Sequence, residues 1–353
     1  MDHGISLLPD CAPEKRSAVD YFRDVLALAR LADSAGMSHV KMTEHYLKAY
    51  GGYCPSPLGF LAAVAAQTRQ IRLMTGCVLP AFHHPLQIAA EAAMVDAISG
   101  GRVDIGFARA YLPYEFEAFG VPLNESRARY DATIKAVVRL WTEETVDEET
   151  PFFRYRGASS LPRPVQVPHP PVWGAAVRSR QSFAWLGEQG FNLLITPALT
   201  SLDDLRDHVE VYREAFSACH GETGRKPVVA ASLPLYVSDS EAEALRVGDG
   251  LLREYLDVWA SSADAWSSTR SSDYQGYTGL AYAIRGMDVE EFRKTGGAVV
   301  GSPSQVVDRV VEIADVLSAD CMLWQVDFGG VAGNIAEKSL GLFIDKVIPA
   351  LPR

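Results

Sequence analysis

One histidine lies where a side chain could take part in proton transfer. His45, within Thr43-Glu44-His45-Tyr46, lies at the end of the predicted β-strand His39–Thr43. A histidine side chain titrates near neutral pH and can therefore accept or donate a proton during a reaction. The alternative is a structural histidine that forms a hydrogen bond with the following loop.

Two segments have the chemistry to bind a phosphate. Arg109 ends the predicted strand Val103–Arg109, and a guanidinium can bind a phosphate through two parallel hydrogen bonds. The alternative for Arg109 is an ion pair with Glu115 or Glu117. The stretch 175–179 (Ala-Ala-Val-Arg-Ser) puts small residues and an N-cap serine at a helix N-terminus, where free N–H groups favour an anion.

A metal site is not indicated. His83 and His84 are adjacent, so on an extended segment they point in opposite directions and at most one can face a pocket. The five cysteines are scattered and show no C-x-x-C spacing, which predicts reduced thiols in a reducing compartment.

The elements that position these residues alternate between strand and helix. The hydrophobic pattern predicts strands at 4–8, 39–43, 71–79, 103–109, 172–176, 191–195, 228–237 and 321–328, with helical segments between them. This order predicts a single (β/α)8 TIM-barrel domain over 1–353, with insertions at about 142–171, after helix 4, and 257–298, after strand 7. The alternative is a doubly wound sheet, but this chain lacks the G-x-G-x-x-G turn that is expected there. The C-terminal ends of barrel strands form the active-site face, which is where His45 and Arg109 would lie.

Composition narrows the possible partners. The chain has 353 residues, 22% of them charged, and a formal net charge of −11. That balance is typical of a globular enzyme and makes nucleic acid or an anionic membrane an unsuitable main partner. The N-terminus lacks a basic region and a cleavage site, so we expect a cytoplasmic protein. The acidic run at 143–149 is interpreted as a solvated surface loop, and the Ser-, Gly- and Tyr-rich stretch 257–298 as a lid or mobile loop.

A series of short motifs in a fixed order runs along nearly the whole chain. The motifs are Glu44-His45, Val78-Leu79-Pro80, His84-Pro85, Ser99-Gly100-Gly101-Arg102, Gly106-Phe107-Ala108-Arg109, Glu115-Phe116, Phe119-Gly120, Pro170-Pro171-Val172-Trp173, Gly301-Ser302-Pro303 and Val347-Ile348-Pro349-Ala350-Leu351. Each is unspecific alone, but in order and spacing the series resembles the bacterial-luciferase-like flavin-dependent monooxygenases.

The resemblance implies a two-component enzyme that receives FMNH2 from a separate flavin reductase and activates O2 as a flavin C4a-peroxide. It implies that His45 is the catalytic residue, that Arg109 binds the FMN phosphate, and that a non-prolyl cis peptide lies beneath the isoalloxazine near Thr75-Gly76-Cys77. The cofactor-binding residues expected on this basis are Gly76, Cys77, Arg109, Tyr111, Ala176, Val177, Arg178 and Ser179. The family is commonly dimeric through helices near strands 2 and 3, so a homodimer is expected.

Departures from the family pattern refine the expected activity. Ala108 stands in place of a reactive cysteine and Tyr46 in place of a second histidine of the light emitters, so light emission is not implied. The apolar Ala176-Val177 turn predicts modest FMN affinity. Aromatic residues near strand ends predict an apolar, even aromatic, natural-product (polyketide-type) substrate, as in antibiotic biosynthesis. These residues are Tyr46, Phe82, Tyr111, Tyr114, Trp324 and Phe328, and ordinary barrel packing is expected for at least half of them.

Two other functions remain as alternatives. A coenzyme F420-dependent oxidoreductase of the same superfamily is disfavoured because the 108–111 stretch lacks a Gly-Ser-Gly-Glu-type turn. A non-catalytic flavin-binding accessory protein is disfavoured because His45 is present.

Overall fold

The computed structural model of this chain describes residues 1–352, and its central feature is a closed ring of parallel strands. The strands are β1 (Asp2–Leu7), β2 (His39–Met42), β3 (Arg72–Thr75), β4 (Val103–Phe107), β5 (Val146–Glu149), β6 (Arg154–Ala158), β7 (Val172–Ala175), β8 (Asn192–Ile195), β9 (Val229–Val237), β10 (Val299–Gly301) and β11 (Cys321–Gln325). Neighbours around the ring are β1-β2-β3-β4-β7-β8-β9-β11, and β11 closes it by pairing with β1. The (β/α)8 barrel prediction is therefore confirmed.

Helices surround the ring and connect its strands. They are α1 (Ala18–Ser34), α2 (Pro57–Ala65), α3 (Pro85–Ser99), α4 (Pro113–Phe119), α5 (Ser126–Thr142), α6 (Arg180–Glu188), α7 (Leu202–His220), α8 (Glu241–Ser262), α9 (Leu280–Arg285), α10 (Val289–Lys294), α11 (Pro303–Leu317) and α12 (Gly333–Leu342). Several begin as the sequence predicts, with proline in the first turn of α2, α3 and α11. The core lies between the outer faces of the strands and the inner faces of the helices.

The strand β3 is shorter than predicted. The apolar run extends to Leu79, but the strand ends at Thr75, and the chain then passes through a cis peptide bond between Gly76 and Cys77. A short 3-10 helix, Pro80–Phe82, follows and leads to α3. Apolar periodicity could not locate this end, because the residues after Thr75 stay buried after they leave the strand.

The first insertion forms a hairpin, so its interpretation as a loop was wrong. The strands β5 and β6 pair antiparallel and contain part of the acidic run. Arg139, near the end of α5, holds two of the carboxylates at 2.7 Å (Glu143) and 2.6 Å (Glu148). The acidic run nevertheless lies at the surface, as expected, and these ion pairs form there.

The second insertion is largely helical, and its predicted start at residue 257 was wrong because α8 continues to Ser262. The segment from Ala263 to Ala298, called the cap segment below, contains α9 and α10. Its aromatic and aliphatic side chains pack with those of α8 in a second apolar cluster. The cap segment is thus a packed element over the barrel, not an open loop.

Within residues 1–352, no helix has both the length and the apolar composition needed to span a membrane.

Candidate active site

A cavity of about 200 Å³ lies at the C-terminal mouth of the barrel. Its floor and walls come from strand ends and from α8 and the cap segment. The lining residues are Ser6, Leu8, Lys41, Thr43, His45, Tyr50, Gly76, Tyr111, Val177, Thr196, Ala198, Leu199, Ser232, Pro234, Tyr255, Trp259, Tyr277, Phe292 and Gln325. This is the face on which barrel enzymes place their chemistry.

His45 lines this cavity and is held by a buried carboxylate. Its Nδ1 lies 3.1 Å from Oε1 of Glu115, a fully buried residue of α4. The same oxygen accepts a hydrogen bond from the Tyr46 backbone N–H at 2.9 Å. Because Nδ1–H donates to a carboxylate, Nε2 is the ring nitrogen available to the cavity. Gly51, at φ +77°, lies against the ring, and a Cβ there would be 2.6 Å from the His45 Cβ.

Glu115 is the main functional residue whose role the sequence did not predict. The sequence offered it only as an alternative ion-pair partner of Arg109, whereas in the structure it orients His45. Its other oxygen, Oε2, has no hydrogen-bond partner among residues 1–352. The signal that could have identified it is an acidic residue in the first turn of a short helix directly after a barrel strand.

A second carboxylate–histidine pair lies beside the first, outside the cavity lining. Glu44 Oε1 accepts hydrogen bonds from the Tyr46 hydroxyl (2.8 Å) and pairs with His83 Nε2 (2.6 Å). Burial, the largest single effect, acts to lower the pKa of His83, but the hydrogen bond and the charge of Glu44 together raise that pKa above its ordinary value. Of the adjacent histidines, His83 is thus engaged with Glu44, and His84 caps α3.

Arg109 lies close to the cap segment and pairs with Asp273, so the alternative of an ion pair with Glu115 or Glu117 was wrong. Its Nη2 donates to the Ser126 hydroxyl at 3.0 Å and to the Asp273 carbonyl at 3.1 Å, and the Asp273 carboxylate lies 3.5 Å away. The guanidinium also stacks 4.6 Å from the centroid of the Tyr274 ring. Its Nε is buried and has no hydrogen-bond partner in the described part of the chain.

Of the 176–179 turn, only Val177 borders the cavity. Ala176 is buried, whereas Ser179 is an exposed N-cap of α6 whose side chain caps no backbone N–H. Burial raises the pKa of Tyr277, and the positive charges of Arg178 and Arg109 act on its hydroxyl in the opposite direction. The two arginines therefore approach one tyrosine of the cap segment.

The cis peptide expected from the resemblance is present between Gly76 and Cys77, but only one of its two residues borders the cavity. Gly76 lines the cavity. The Cys77 side chain packs in an apolar cluster inside the barrel with Met74 and Trp173, so of this pair only Gly76 borders the cavity. Burial raises the pKa of the Cys77 thiol to about 12, which keeps it protonated.

Aromatic side chains form most of the upper cavity wall, but five of the six that we expected are elsewhere. Of those six, only Tyr111 lines the cavity, while Tyr46, Phe82, Tyr114, Trp324 and Phe328 pack in neighbouring clusters. The aromatic lining consists of Tyr50, Tyr111, Tyr255, Trp259, Tyr277 and Phe292. The Trp259 indole N–H donates to the Tyr111 hydroxyl at 2.9 Å, and burial raises the pKa of Tyr111 well above its ordinary value.

Comparison with known sequences matches one protein family. A family model described as luciferase-like monooxygenase matches residues 1–319. The chain is also 28% identical over 349 residues to the oxygenase component of flavin-dependent trigonelline monooxygenase from Acinetobacter baylyi, covering 96% of this chain and 92% of that protein.

Comparison with solved structures gives the same architecture. Monooxygenase RslO1 from Streptomyces bottropensis is 36% identical, with a TM-score of 0.82 and 99% of each chain covered. The oxygenating constituent of 3,6-diketocamphane monooxygenase from Pseudomonas putida, solved with FMN, has 20% identity and a TM-score of 0.80 over 100% of both chains. The coenzyme F420-dependent tetrahydromethanopterin reductase from Methanopyrus kandleri has 21% identity and a TM-score of 0.70 over 99% of both chains. At these identities, the last two share the fold alone.

Proposed function

Since this chain belongs to the luciferase-like monooxygenase family, we propose that it is the FMNH2-dependent oxygenase of a two-component system. Its substrate is an apolar organic molecule, including aromatic natural products of the polyketide type. The observation that carries this proposal is a histidine, oriented by a buried carboxylate, that faces an aromatic cavity at the barrel mouth. The trigonelline enzyme's oxygenase role and the FMN bound to the diketocamphane enzyme support it.

The residues at the mouth fit a phosphorylated flavin. Arg109 has a buried Nε without a partner in residues 1–352, and its fixed planar donors suit a phosphate. Val177 and Arg178 would complete the phosphate site at the N-terminus of α6, where the helix dipole favours an anion. Gly76, Tyr111 and the Cys77 backbone would border the ring system. Reduced FMN, when bound, supplies the electrons with which O2 is activated.

The role of His45 follows from its hydrogen bond. Glu115 holds Nδ1–H, so Nε2 can accept a proton from a group in the cavity or return it. Glu115 acts as a positioning residue, since it stabilises both the ring orientation and the protonated imidazole. His45 is 5% exposed, and a closed aromatic wall around it would limit the access of water to the reaction.

The cavity is small for the complete reaction. Its volume of about 200 Å³ lies below the roughly 300–1,000 Å³ typical of pockets that enclose small ligands. The cap segment supplies Tyr277 and Phe292 to the lining. We infer that the cap segment moves outward when flavin and substrate bind and then returns to cover the site.

The test combines product formation with flavin binding. With a flavin reductase, NADH, FMN, 18O2 and a panel of aromatic natural-product precursors, we expect one 18O atom in the product. His45→Ala should lower product formation by about 10²–10⁴-fold, the usual worth of a general acid–base, and leave the FMN dissociation constant within about twofold. His220→Ala, at the end of α7, is the control.

Three outcomes would contradict this proposal. Undiminished turnover by His45→Ala would remove the role of His45. Substrate reduction with reduced coenzyme F420, without oxygen uptake, would favour the F420-dependent alternative. A wild-type protein that binds flavin but oxygenates no member of the panel, and consumes no oxygen beyond the free-flavin rate, would favour an accessory role.

A cytoplasmic homodimer of single-domain chains is also part of this proposal. Met94 and Ile98, one turn apart on α3, are 47% and 53% exposed, although both are apolar. Val165 and Val167 lie on the neighbouring segment and are also exposed. An apolar patch of this kind is typical of an interface between subunits. Five cysteines without a disulfide are compatible with a reducing compartment.

A further inference from the structure

A row of polar side chains crosses the floor of the cavity. Parallel pairing places Ser6 of β1 opposite Lys41 of β2 on one side and Gln325 of β11 on the other. All three are at least nine-tenths buried and line the cavity. The Ser232 hydroxyl lies 3.2 Å from the Ser6 hydroxyl and extends the row. Barrel interiors are normally filled with branched apolar side chains, so this polar row requires a separate explanation.

Lys41 has almost no partner for its charge. Within residues 1–352, its Nζ forms one long hydrogen bond, 3.4 Å to the Thr43 hydroxyl, and no carboxylate lies within ion-pair distance. Burial lowers the pKa of Lys41 from its ordinary value. Its side chain crosses the backbone of Gly76, where a Cβ would lie 2.2 Å from the lysine Cγ. An ammonium buried in this way is costly unless a ligand compensates it.

Gln325 gives an independent indication of a ligand. It is 6% exposed, and its Nε2 has no hydrogen-bond partner among the described residues. An unsatisfied buried donor costs free energy that a bound acceptor would recover. Lys41 and Gln325, on either side of Ser6, thus place two donor-bearing side chains at one region of the cavity.

We propose that Lys41 and Gln325 form an anion subsite that binds a delocalised organic anion through its acceptor atoms. Two groups have this chemistry: the reduced isoalloxazine ring, which ionises near neutral pH, and an ionised phenol or enol of the substrate. That the bound anion is the reduced flavin rests on the proposed function, whereas binding of an ionised phenol or enol does not. In either case the subsite stabilises the ionised form, and a neutral ligand gains less from it.

The experiment compares Lys41→Met and Gln325→Leu with the wild type and with Lys226→Met, which removes an exposed lysine. The first arm measures anaerobic dissociation constants for oxidised and reduced FMN. The second arm uses absorbance to measure the ionised fraction of bound 4-nitrophenol at mildly acidic pH. Thermal melting checks folding, and we expect Lys41→Met to melt no lower than the wild type because it removes an uncompensated buried charge.

If the flavin is the ligand, Lys41→Met should weaken reduced FMN binding by about 10-fold or more, equivalent to about 1.4 kcal/mol, and oxidised FMN by less than about 3-fold. If a substrate anion is the ligand, the bound phenolate fraction should fall instead. Gln325→Leu should act in the same direction with a smaller effect. The inference is overturned if both variants match Lys226→Met in both arms. A wild type that binds no flavin would contradict the proposed function, while the nitrophenol arm would still decide the inference.

Discussion

The contact between Arg109 and Asp273 predicts that the cap segment competes with the flavin phosphate. The Asp273 carboxylate lies 3.5 Å from the guanidinium, and the two side chains are 24% and 20% exposed. A phosphate that approaches Arg109 therefore meets a carboxylate already beside it. Asp273→Asn removes that negative charge and retains a side chain of the same shape, so FMN should bind more tightly.

The magnitude follows from the distance and the exposure. Two unit charges 3.5 Å apart interact by about 5 kcal/mol at an effective dielectric constant of 20. Solvent screening and the cost of ordering long side chains reduce measured values for partly exposed pairs to about 1 kcal/mol. We therefore expect the FMN dissociation constant of Asp273→Asn to fall by about 3- to 10-fold.

The assay is a fluorescence titration with FMN and with riboflavin, which lacks the phosphate. Riboflavin binding should be unchanged in Asp273→Asn, and the gain for FMN should disappear when Arg109→Ala is combined with it. Asp264→Asn, which breaks an exposed pair with Arg285 in the same segment, is the matched control. An unchanged or weaker FMN affinity, or an equal gain for riboflavin, would show that Asp273 does not occupy the phosphate site.

Three further predictions concern catalysis, stability and assembly. Glu115→Ala should lower kcat about 100-fold without changing the FMN dissociation constant, because His45 loses its orienting carboxylate. Glu117 is exposed on the same helix, and Glu117→Ala should match the wild type in steady-state kinetics. Burial, reinforced by the charge of Asp327, raises the pKa of Asp10 to about 8. The folded state therefore binds this proton more tightly than the unfolded state, and the free energy of unfolding falls as pH rises from about 4 to 8. Melting temperatures should therefore fall less steeply across this range in Asp10→Asn. Ile98→Glu should convert a dimer to a monomer in sedimentation analysis, and a dimer that persists would place the interface elsewhere.

Much of the fold was predictable because its signals are local. The first strand–helix units follow apolar periodicity, serine caps and prolines that act within a few residues. The failures were also local in origin. Apolar residues after Thr75 looked like a longer strand, and the acidic run looked like a loop because its arginine partner lies on the preceding helix. The short helix α4, which carries Glu115, had too few turns to produce a clear pattern.

The site was predictable as a list of strand-end residues but not as a set of contacts. His45, Gly76, Tyr111 and Val177 line the cavity as expected, while Cys77 points into the barrel. The two faces of an extended strand alternate, but β3 ends at Thr75, so the side chain directions after it could not be counted from the sequence.

The sequence by itself determined the order of the eight barrel strands, the barrel they form and the strand ends at which functional side chains stand. Only the tertiary structure decided which residues meet: Glu115 with His45, Asp273 with Arg109, and Lys41 with Ser6 and Gln325 across neighbouring strands. The reason is physical. Hydrophobic periodicity and capping act over a few residues, whereas these contacts join positions far apart in the chain, and the closure and register of the barrel bring them together.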